Sequence, residues 1–373
     1  MISSEETRRY SIALSLIEGI GGKSAKKLVS HCGSAEAVFT LPAGKLQRIQ
    51  GISPRMAALI QQEKAAALQK ADQEIERAQQ QRIQILHYTD TDYPERLKHC
   101  FDAPAVLFWK GDAKLNNPKN ISIVGTRQAT AYGKGFLREL ITALVHHKPL
   151  IVSGLAYGID IEAHRLALDH DLETVGVMAS GMDIIYPATH QATAQRMILE
   201  HGGLLTEQLL GTPPDARRFP ARNRIIAGMT DMTLVVEAAN KGGALITAQI
   251  ANSYDRHVGA VPGNIHNTYS KGCNQLIKTH QAHIITEPAD IERLLNWDVQ
   301  HASPTTATQM PPPLLEPDEQ KIYSVLQSVE SMEIDELAFR TQLPINQLAA
   351  LLLDLEFRAC VRSMPGKRYQ WIR

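Results

Sequence analysis

The chain has 373 residues, 44% of them apolar and 21% charged, enough for one large core with smaller satellites and therefore two or three domains. Its 39 Lys+Arg and 39 Asp+Glu cancel, which excludes a protein that coats nucleic acid through its overall field and confines any such site to a local patch. The acidic start lacks the basic, apolar pattern of an export signal and no segment is long and apolar enough to span a bilayer, so a cytoplasmic protein is expected. Cys32, Cys100, Cys273 and Cys360 are scattered with no CxxC pair, which predicts free thiols rather than a disulfide framework, and no zinc or other metal site.

Residues 1–80 read as a helical domain. Around GIGG at 19–22 and GISP at 51–54 the pattern is helix, glycine turn, helix, which predicts paired helix-hairpin-helix (SAM-like) units. Such a turn serves two purposes: it lets backbone amides approach a phosphate, with Lys23, Lys26 and Lys27 just behind, or it simply permits tight packing through Gly19, Gly21 and Gly51. The Gln-, Lys- and Ala-rich stretch at 61–80 predicts a long solvated helix leading out of the bundle.

Between 81 and 298 short β-branched runs alternate with amphipathic periods. ISIVG (121–125), PLIVS (149–153), ETVGVM (173–178), GLLTE (203–207), TLVVEA (233–238), HVGAVPG (257–263) and AHIIT (282–286) are the predicted strands. This alternation predicts an α/β, doubly wound parallel sheet that binds ligands at the carboxyl ends of its strands. Four glycine loops collect there: VGTRQATAYGKG (124–135), SGLAYGID (153–160), NKGGALITA (240–248) and VPGNI (261–265). Most open a helix, so their free amides and helix dipoles are expected to converge on one crevice suited to anions. The first loop places Arg127 where dinucleotide enzymes keep a small residue, GxGxxG is missing, and no GxxxxGK[ST] occurs; neither a nicotinamide cofactor nor ATP hydrolysis is expected.

Asp160, His164 and Glu237 are the acid–base candidates of this region. Asp160 and His164 are four apart and could face each other across one helical turn, or Asp160 caps its helix and His164 bonds a neighbouring loop. Glu237, ending a strand, is either a base in a ribohydrolase-like site or a support that holds an arginine of RRFPARNR (217–224) in place. That last stretch, expected as a turn, packs four arginines around Phe219 and Asn223. A basic wall with a flat aromatic beside it is what single-stranded DNA requires, phosphates along the charge and a base on the ring. A nucleotide or nucleoside-phosphate hydrolase in the same crevice is the competing reading, although VPGNIHNTYS carries no PGGxGTxxE glutamate.

Residues 299–317, rich in Pro, Ser and Thr, predict a linker, and 318–373 three helices and a hairpin with Pro-Gly at its tip, a winged helix. Its third helix, 345–356, has no Lys or Arg; only the wing, with Arg362, Lys367, Arg368 and Arg373, is basic. Protein contact or weak backbone contact is expected there rather than base reading.

Nine blocks, YPERL (93–97), KGD (110–112), IVGTRQATAYG (123–133), VSGLAYGIDIEAH (152–164), MDIIYP (182–187), FPARNRIIAG (219–228), GGALITAQIA (242–251), VPG (261–263) and KGCNQLI (271–277), resemble in order and spacing the DprA/Smf family of DNA-processing proteins of bacterial transformation. The resemblance implies an extended Rossmann-like domain that binds and protects single-stranded DNA, forms homodimers, loads the RecA recombinase and turns nothing over. Carried over block by block, it implies a DNA-binding pocket of Arg127, Gly154, Gly158, Phe219, Arg222, Asn223, Arg224, Lys241 and Gly243. Two departures stand out. Gly242-Gly243-Ala244 replaces the common SGS or SGA, losing a hydroxyl, and Tyr157 stands where arginine is frequent, exchanging a charge for a face that could stack on a base. Leu276 and Ile277 are candidates for a dimer face or for ordinary core.

Overall fold

The computed structural model describes residues 4–297, 315–327, 329, 331–358, 360–364 and 367–372. The chain divides into two compact units, Met1–Val299 and Gln300–Arg373.

The first unit opens with α1 (Ser4–Ser15), α2 (Gly22–Cys32), α3 (Ala35–Thr40), α4 (Ala43–Leu46) and α5 (Pro54–Gln80). Gly19 and Gly51 hold φ of 83° and 89° in the turns before α2 and α5, where an L side chain is strained. The first amides of α2 are pressed against protein: a Cβ on Gly22 would collide with the carbonyl of Ala103. This favours packing for that hairpin. Ser53 starts α5 by accepting from the Met56 amide at 3.2 Å. The 27 residues of α5 do not lead out into solvent as the polar composition suggests. Ala67, Ala71 and Ala78 make a narrow buried stripe, and the buried Glu74 accepts from the Leu210 amide at 2.6 Å, pinning the helix to a loop of the α/β region.

The α/β region runs β1 (Gln84–His87), α6 (Glu95–Lys98), β2 (Val106–Gly111), β3 (Asn120–Val124), α7 (Ala131–Leu144), β4 (Leu150–Ser153), α8 (Ile159–Asp169), β5 (Thr174–Val177), α9 (Gln191–Leu199), β6 (Gly202–Thr206), α10 (Arg218–Gly228), β7 (Met232–Val235), α11 (Gly243–Ser253), β8 (His257–Ala260), α12 (Lys271–Lys278), β9 (His283–Ile284) and α13 (Pro288–Leu294). The sheet order is β1-β2-β6-β5-β4-β3-β7-β8-β9. The seven strands from β3 to β9 pair in parallel, each coinciding with one of the predicted apolar runs. From β3 to β8 their β-branched residues are buried because helices cover both faces, whereas Ile284 in the edge strand β9 is exposed. The strands β1 and β2, which the strand pattern misses, add antiparallel at the β6 edge. From β3 the chain winds outward through β4, β5 and β6, then returns to lay β7 on the other side of β3. That reversal leaves a crevice beyond the carboxyl ends of β3, β4 and β7.

RRFPARNR is the opening of a helix rather than a turn, since α10 begins at Arg218. Pro220 lies in the first turn, where its missing N–H has no partner to lose. Leu276 is core, 4% exposed, and Ile277 packs partly buried against the same cluster.

The second unit contains α14 (Pro317–Leu326), β10 (Met332–Glu333), α15 (Ile334–Thr341), α16 (Ile345–Phe357), β11 (Val361–Met364) and β12 (Arg368–Trp371), with strands antiparallel in the order β10-β12-β11. Leu348, Leu352 and Leu355 at helical spacing bury α16 against Ile322, Leu326 and Leu337. The predicted linker over 299–314, the Pro-Gly tip and Arg373 lie outside the described residues.

Candidate nucleic-acid site

An open cavity of about 430 Å³ occupies the strand-end crevice. The loop after β3 supplies Thr126, Arg127 and Gln128, α10 supplies Phe219, Arg222 and Asn223, and the loop into α11 supplies Lys241, Gly242 and Gly243. With Ala156 and Asp160 from SGLAYGID, three of the four glycine loops converge. The fourth is held elsewhere: Gly263 accepts from and donates to the side chain of Asn274, and Pro262 accepts from the Tyr132 hydroxyl.

The arginines divide by burial. Arg222 is 6% exposed, and its Nη1 donates to the carbonyl oxygens of Gly154 and Val177 at the ends of β4 and β5. Burial pulls its pKa down to about 10 against the opposing pull of Asp160, so it remains a cation at neutral pH. Asp160 is buried beside it; burial pushes its carboxyl up, opposed by the Arg222 charge and by N–H donors that include Gly154 at 3.2 Å. The pair closes the crevice floor. Arg224 leaves the crevice altogether: it pairs with Glu207 and donates to the Asp102 carbonyl at 2.6 Å. Arg218 donates to the Pro213 carbonyl, and Arg217, its side chain 93% exposed, stands 3.5 Å from Asp215.

Arg127 and Lys241 are the charges left for a ligand. Both are exposed, and neither makes an ion pair among the described residues. The Arg127 guanidinium stands 5.6 Å from the Phe219 ring centroid, close enough for a cation–π contact that orients it over the cavity. Tyr186 also packs on Phe219, with ring centroids 5.9 Å apart. Tyr157 instead packs edge-on against His190 and takes a hydrogen bond from Thr189, outside the cavity lining.

Helix starts differ in the same way. The N-terminus of α11 is open, with Gly242 as its first flank and no side-chain cap, so the amides of Gly243 and Ala244 face the cavity. Asn223 fixes this turn by donating to the Gly243 carbonyl at 3.3 Å. The start of α7 is already occupied: the buried Glu237 carboxylate accepts from the Thr130 amide at 2.9 Å and its hydroxyl at 2.6 Å. Glu237 therefore holds the loop that carries Arg127, not an arginine of α10, and it does not line the cavity. Nor do Asp160 and His164 face each other. His164 is fully buried with Nδ1 donating to Thr174 Oγ1 at 2.7 Å, since that hydroxyl gives its own proton to the Ile151 carbonyl. Burial beside Arg222 and His190 pushes His164 down to about 3, keeping it neutral.

Gly154 and Gly158 serve the walls rather than the cavity. A Cβ at Gly154 would strike the Arg222 guanidinium, and Gly158, at φ 78°, packs against the Thr126 carbonyl. The described geometry thus brings Arg127, Phe219, Arg222, Asn223, Lys241 and Gly243 to one cavity and leaves Gly154, Gly158 and Arg224 behind it. Tyr269, whose hydroxyl donates to Gln128, also lines the cavity. Only its position two residues before the KGCNQLI block hints at this in the sequence.

A parallel doubly wound core with an anion-suited crevice, followed by a winged helix, defines a Rossmann-like protein with an appended winged-helix unit. Residues 84–296 match the family described as DNA recombination-mediator protein A, and residues 306–367 the family described as DprA winged helix domain. The chain belongs to the DprA/Smf family. It is 32% identical over 99% of its length to Protein Smf of Synechocystis, covering 100% of that chain, and 38% identical over 60% of its length to the DNA processing protein DprA of Bacillus subtilis, covering 76% of it. Among solved structures, DNA processing protein A from Streptococcus pneumoniae is similar with a TM-score of 0.65 and 30% identity over 78% of this chain and 98% of that one. DNA processing protein A from Helicobacter pylori, described for its single-stranded DNA binding mode, gives a TM-score of 0.52 and 28% identity over 58% of this chain and 96% of that one. Among the described residues no helix is long and apolar enough to cross a membrane.

Proposed function

We propose that this chain binds single-stranded DNA in the strand-end crevice, protects it and passes it to a RecA-type recombinase during transformation, as a homodimer and without catalytic turnover. The observation that carries the reading is the pairing of two uncompensated cations, Arg127 and Lys241, with the open N-terminus of α11 across a cavity of about 430 Å³. Phosphates fit the cations and the free amides; Phe219, flanked by Tyr186, offers a face to a base. The name of the Helicobacter pylori relative, which refers to single-stranded DNA binding, supports the same choice of ligand. Homodimerisation and recombinase delivery rest on the family resemblance alone.

Hydrolysis fits the site less well. Glu237 spends both oxygens on Thr130, Asp160 accepts from the Gly154 amide beside the Arg222 charge, and His164 is buried outside the cavity lining, so among the described residues no base stands free at the cavity.

Fluorescence anisotropy with labelled oligo-dT tests the reading. Log affinity should fall with log salt with a slope of roughly −2 to −3 if three or four phosphates are neutralised. Arg127→Ala should weaken binding about ten-fold, the cost of one charge-assisted phosphate contact, with no change in melting temperature. Arg362→Ala with Lys367→Ala in the wing should leave it within about two-fold, as expected of exposed charges outside the contact. Equal losses from both sets of substitutions would move the strand out of the crevice.

A further inference from the structure

At the opposite, amino ends of the parallel strands, three ligating side chains meet. His146 and His147 lie in the single 3₁₀ turn, Val145–His147, that joins α7 to β4, and Glu292 projects from α13, which packs on α7. One ligand atom from each lies within 4.8 Å of the other two. His147 Nε2 is 2.9 Å and His146 Nε2 3.6 Å from the same oxygen, Glu292 Oε1. In a tetrahedral zinc site, bonds of about 2.0–2.2 Å to nitrogen and oxygen put ligand atoms about 3.3–3.6 Å apart, so little movement separates this arrangement from coordination.

The hydrogen bonds around the cluster settle which nitrogens are available. His146 Nδ1 donates to the Ala143 carbonyl at 2.8 Å, so in the neutral ring the lone pair sits on Nε2 and points at a carboxylate oxygen. Two lone pairs facing each other call for a cation between them, either a proton on His146 or a metal ion. A ring N–H held by a backbone carbonyl is also how metal-bound histidines are commonly oriented. His147 is positioned by packing against Trp297, ring centroids 5.4 Å apart. One neighbour opposes. Lys119 Nζ stands 2.8 Å from His147 Nδ1 and donates to it, which keeps the proton of the neutral ring on Nε2. For His147 to ligate through Nε2, that proton must move to Nδ1 and Lys119 must turn aside.

We propose that His146, His147 and Glu292 bind one divalent ion of the zinc type, with Lys119 as an internal competitor that weakens the site. His146 and Glu292 take the ion first, His147 completes the protein ligands when Lys119 swings away, and the exposed side leaves the fourth position to water. The ion ties α13, the last described helix of the first unit, to the turn before β4.

The test is calorimetric titration of Zn²⁺ into the chelator-treated full chain, with Co²⁺ absorption as a second readout and the melting temperature as a third. The wild type should bind one ion that is lost in His146→Ala, a 63% exposed side chain whose removal leaves the fold intact. Glu292→Gln should weaken binding at least about ten-fold, no less than the loss of an outer partner costs a metal site. Lys119→Met should tighten it, an outcome no nonspecific site among the 14 histidines would give. Saturating Zn²⁺ should raise the melting temperature of the wild type and of Lys119→Met but not of His146→Ala. Binding and stabilisation that are the same in His146→Ala as in wild type, or weaker binding in Lys119→Met, overturn the proposal.

Discussion

The crevice of the first unit and α16 of the second are the two places where folds of these kinds meet nucleic acid, and their charges differ. Around the crevice, buried acids are spent on the fold, Asp160 on the Gly154 amide beside the Arg222 charge and Glu237 on Thr130, which leaves Arg127 and Lys241 uncompensated at the surface. On α16 the acids are outside: Asp354 pairs with Arg358, Glu356 accepts from Ser363 at 2.6 Å, and no Lys or Arg lies between residues 345 and 356. The wing is basic, yet Arg368 is already bound to Ser331 by two hydrogen bonds of 3.1 Å. Net charge is uninformative about both. What decides is which charges are consumed by the fold.

Removing a consumed charge should break the fold before it breaks binding. Arg222→Ala leaves Asp160 buried without its partner and two carbonyls without a donor, and should cost about 3–5 kcal/mol, measured by urea unfolding. A variant as stable as wild type that has lost only oligo-dT affinity would place Arg222 among the ligand contacts.

Acid should separate the two units. His164 is held neutral with a folded pKa near 3, below the unfolded 6.5, so the unfolded chain binds the extra proton between those values. The stability this group supports is present above pH 6.5 and is lost as pH falls through the window, by about 1.4 kcal/mol per pH unit. His87, pushed by burial to about 4, adds to the same slope. The described residues of the second unit contain no histidine. Calorimetry from pH 7 to pH 5 should lower the transition of the first unit and barely move that of the second; parallel shifts would mean that His164 is not the cause.

Restoring the missing hydroxyl sharpens the crevice by the smallest amount. A Cβ at Gly242 meets no atom within 4 Å, and its φ of 167° is ordinary extended backbone. Gly242→Ser is therefore accommodated and should stabilise by a few tenths of a kcal/mol as an N-cap. If the new hydroxyl turns to phosphate instead, oligo-dT affinity rises a few-fold while the melting temperature stays put.

Much of this was legible in the sequence because the parallel strands are buried on both faces and read as β-branched runs, and because the glycine loops mark where helices start against strand ends. The antiparallel strands β1 and β2 were missed although VLFWK is an apolar run before Gly111, since they sit outside the βα alternation. RRFPARNR misled in two ways. Pro220 reads as a breaker but occupies a first turn, and a cluster of arginines reads as exposed. The burial of Arg222 is written in residues far along the chain, Asp160 and the side-chain-free Gly154, and Arg224 is withdrawn by Glu207; no local pattern reveals either.

Amide hydrogen exchange on the full chain, with and without saturating oligo-dT, tests the central claim most directly. Slower exchange across residues 125–128 and 242–245, with α16 and β11 unchanged, is the predicted result. Protection of α16 or the wing with none at the start of α11 would contradict it.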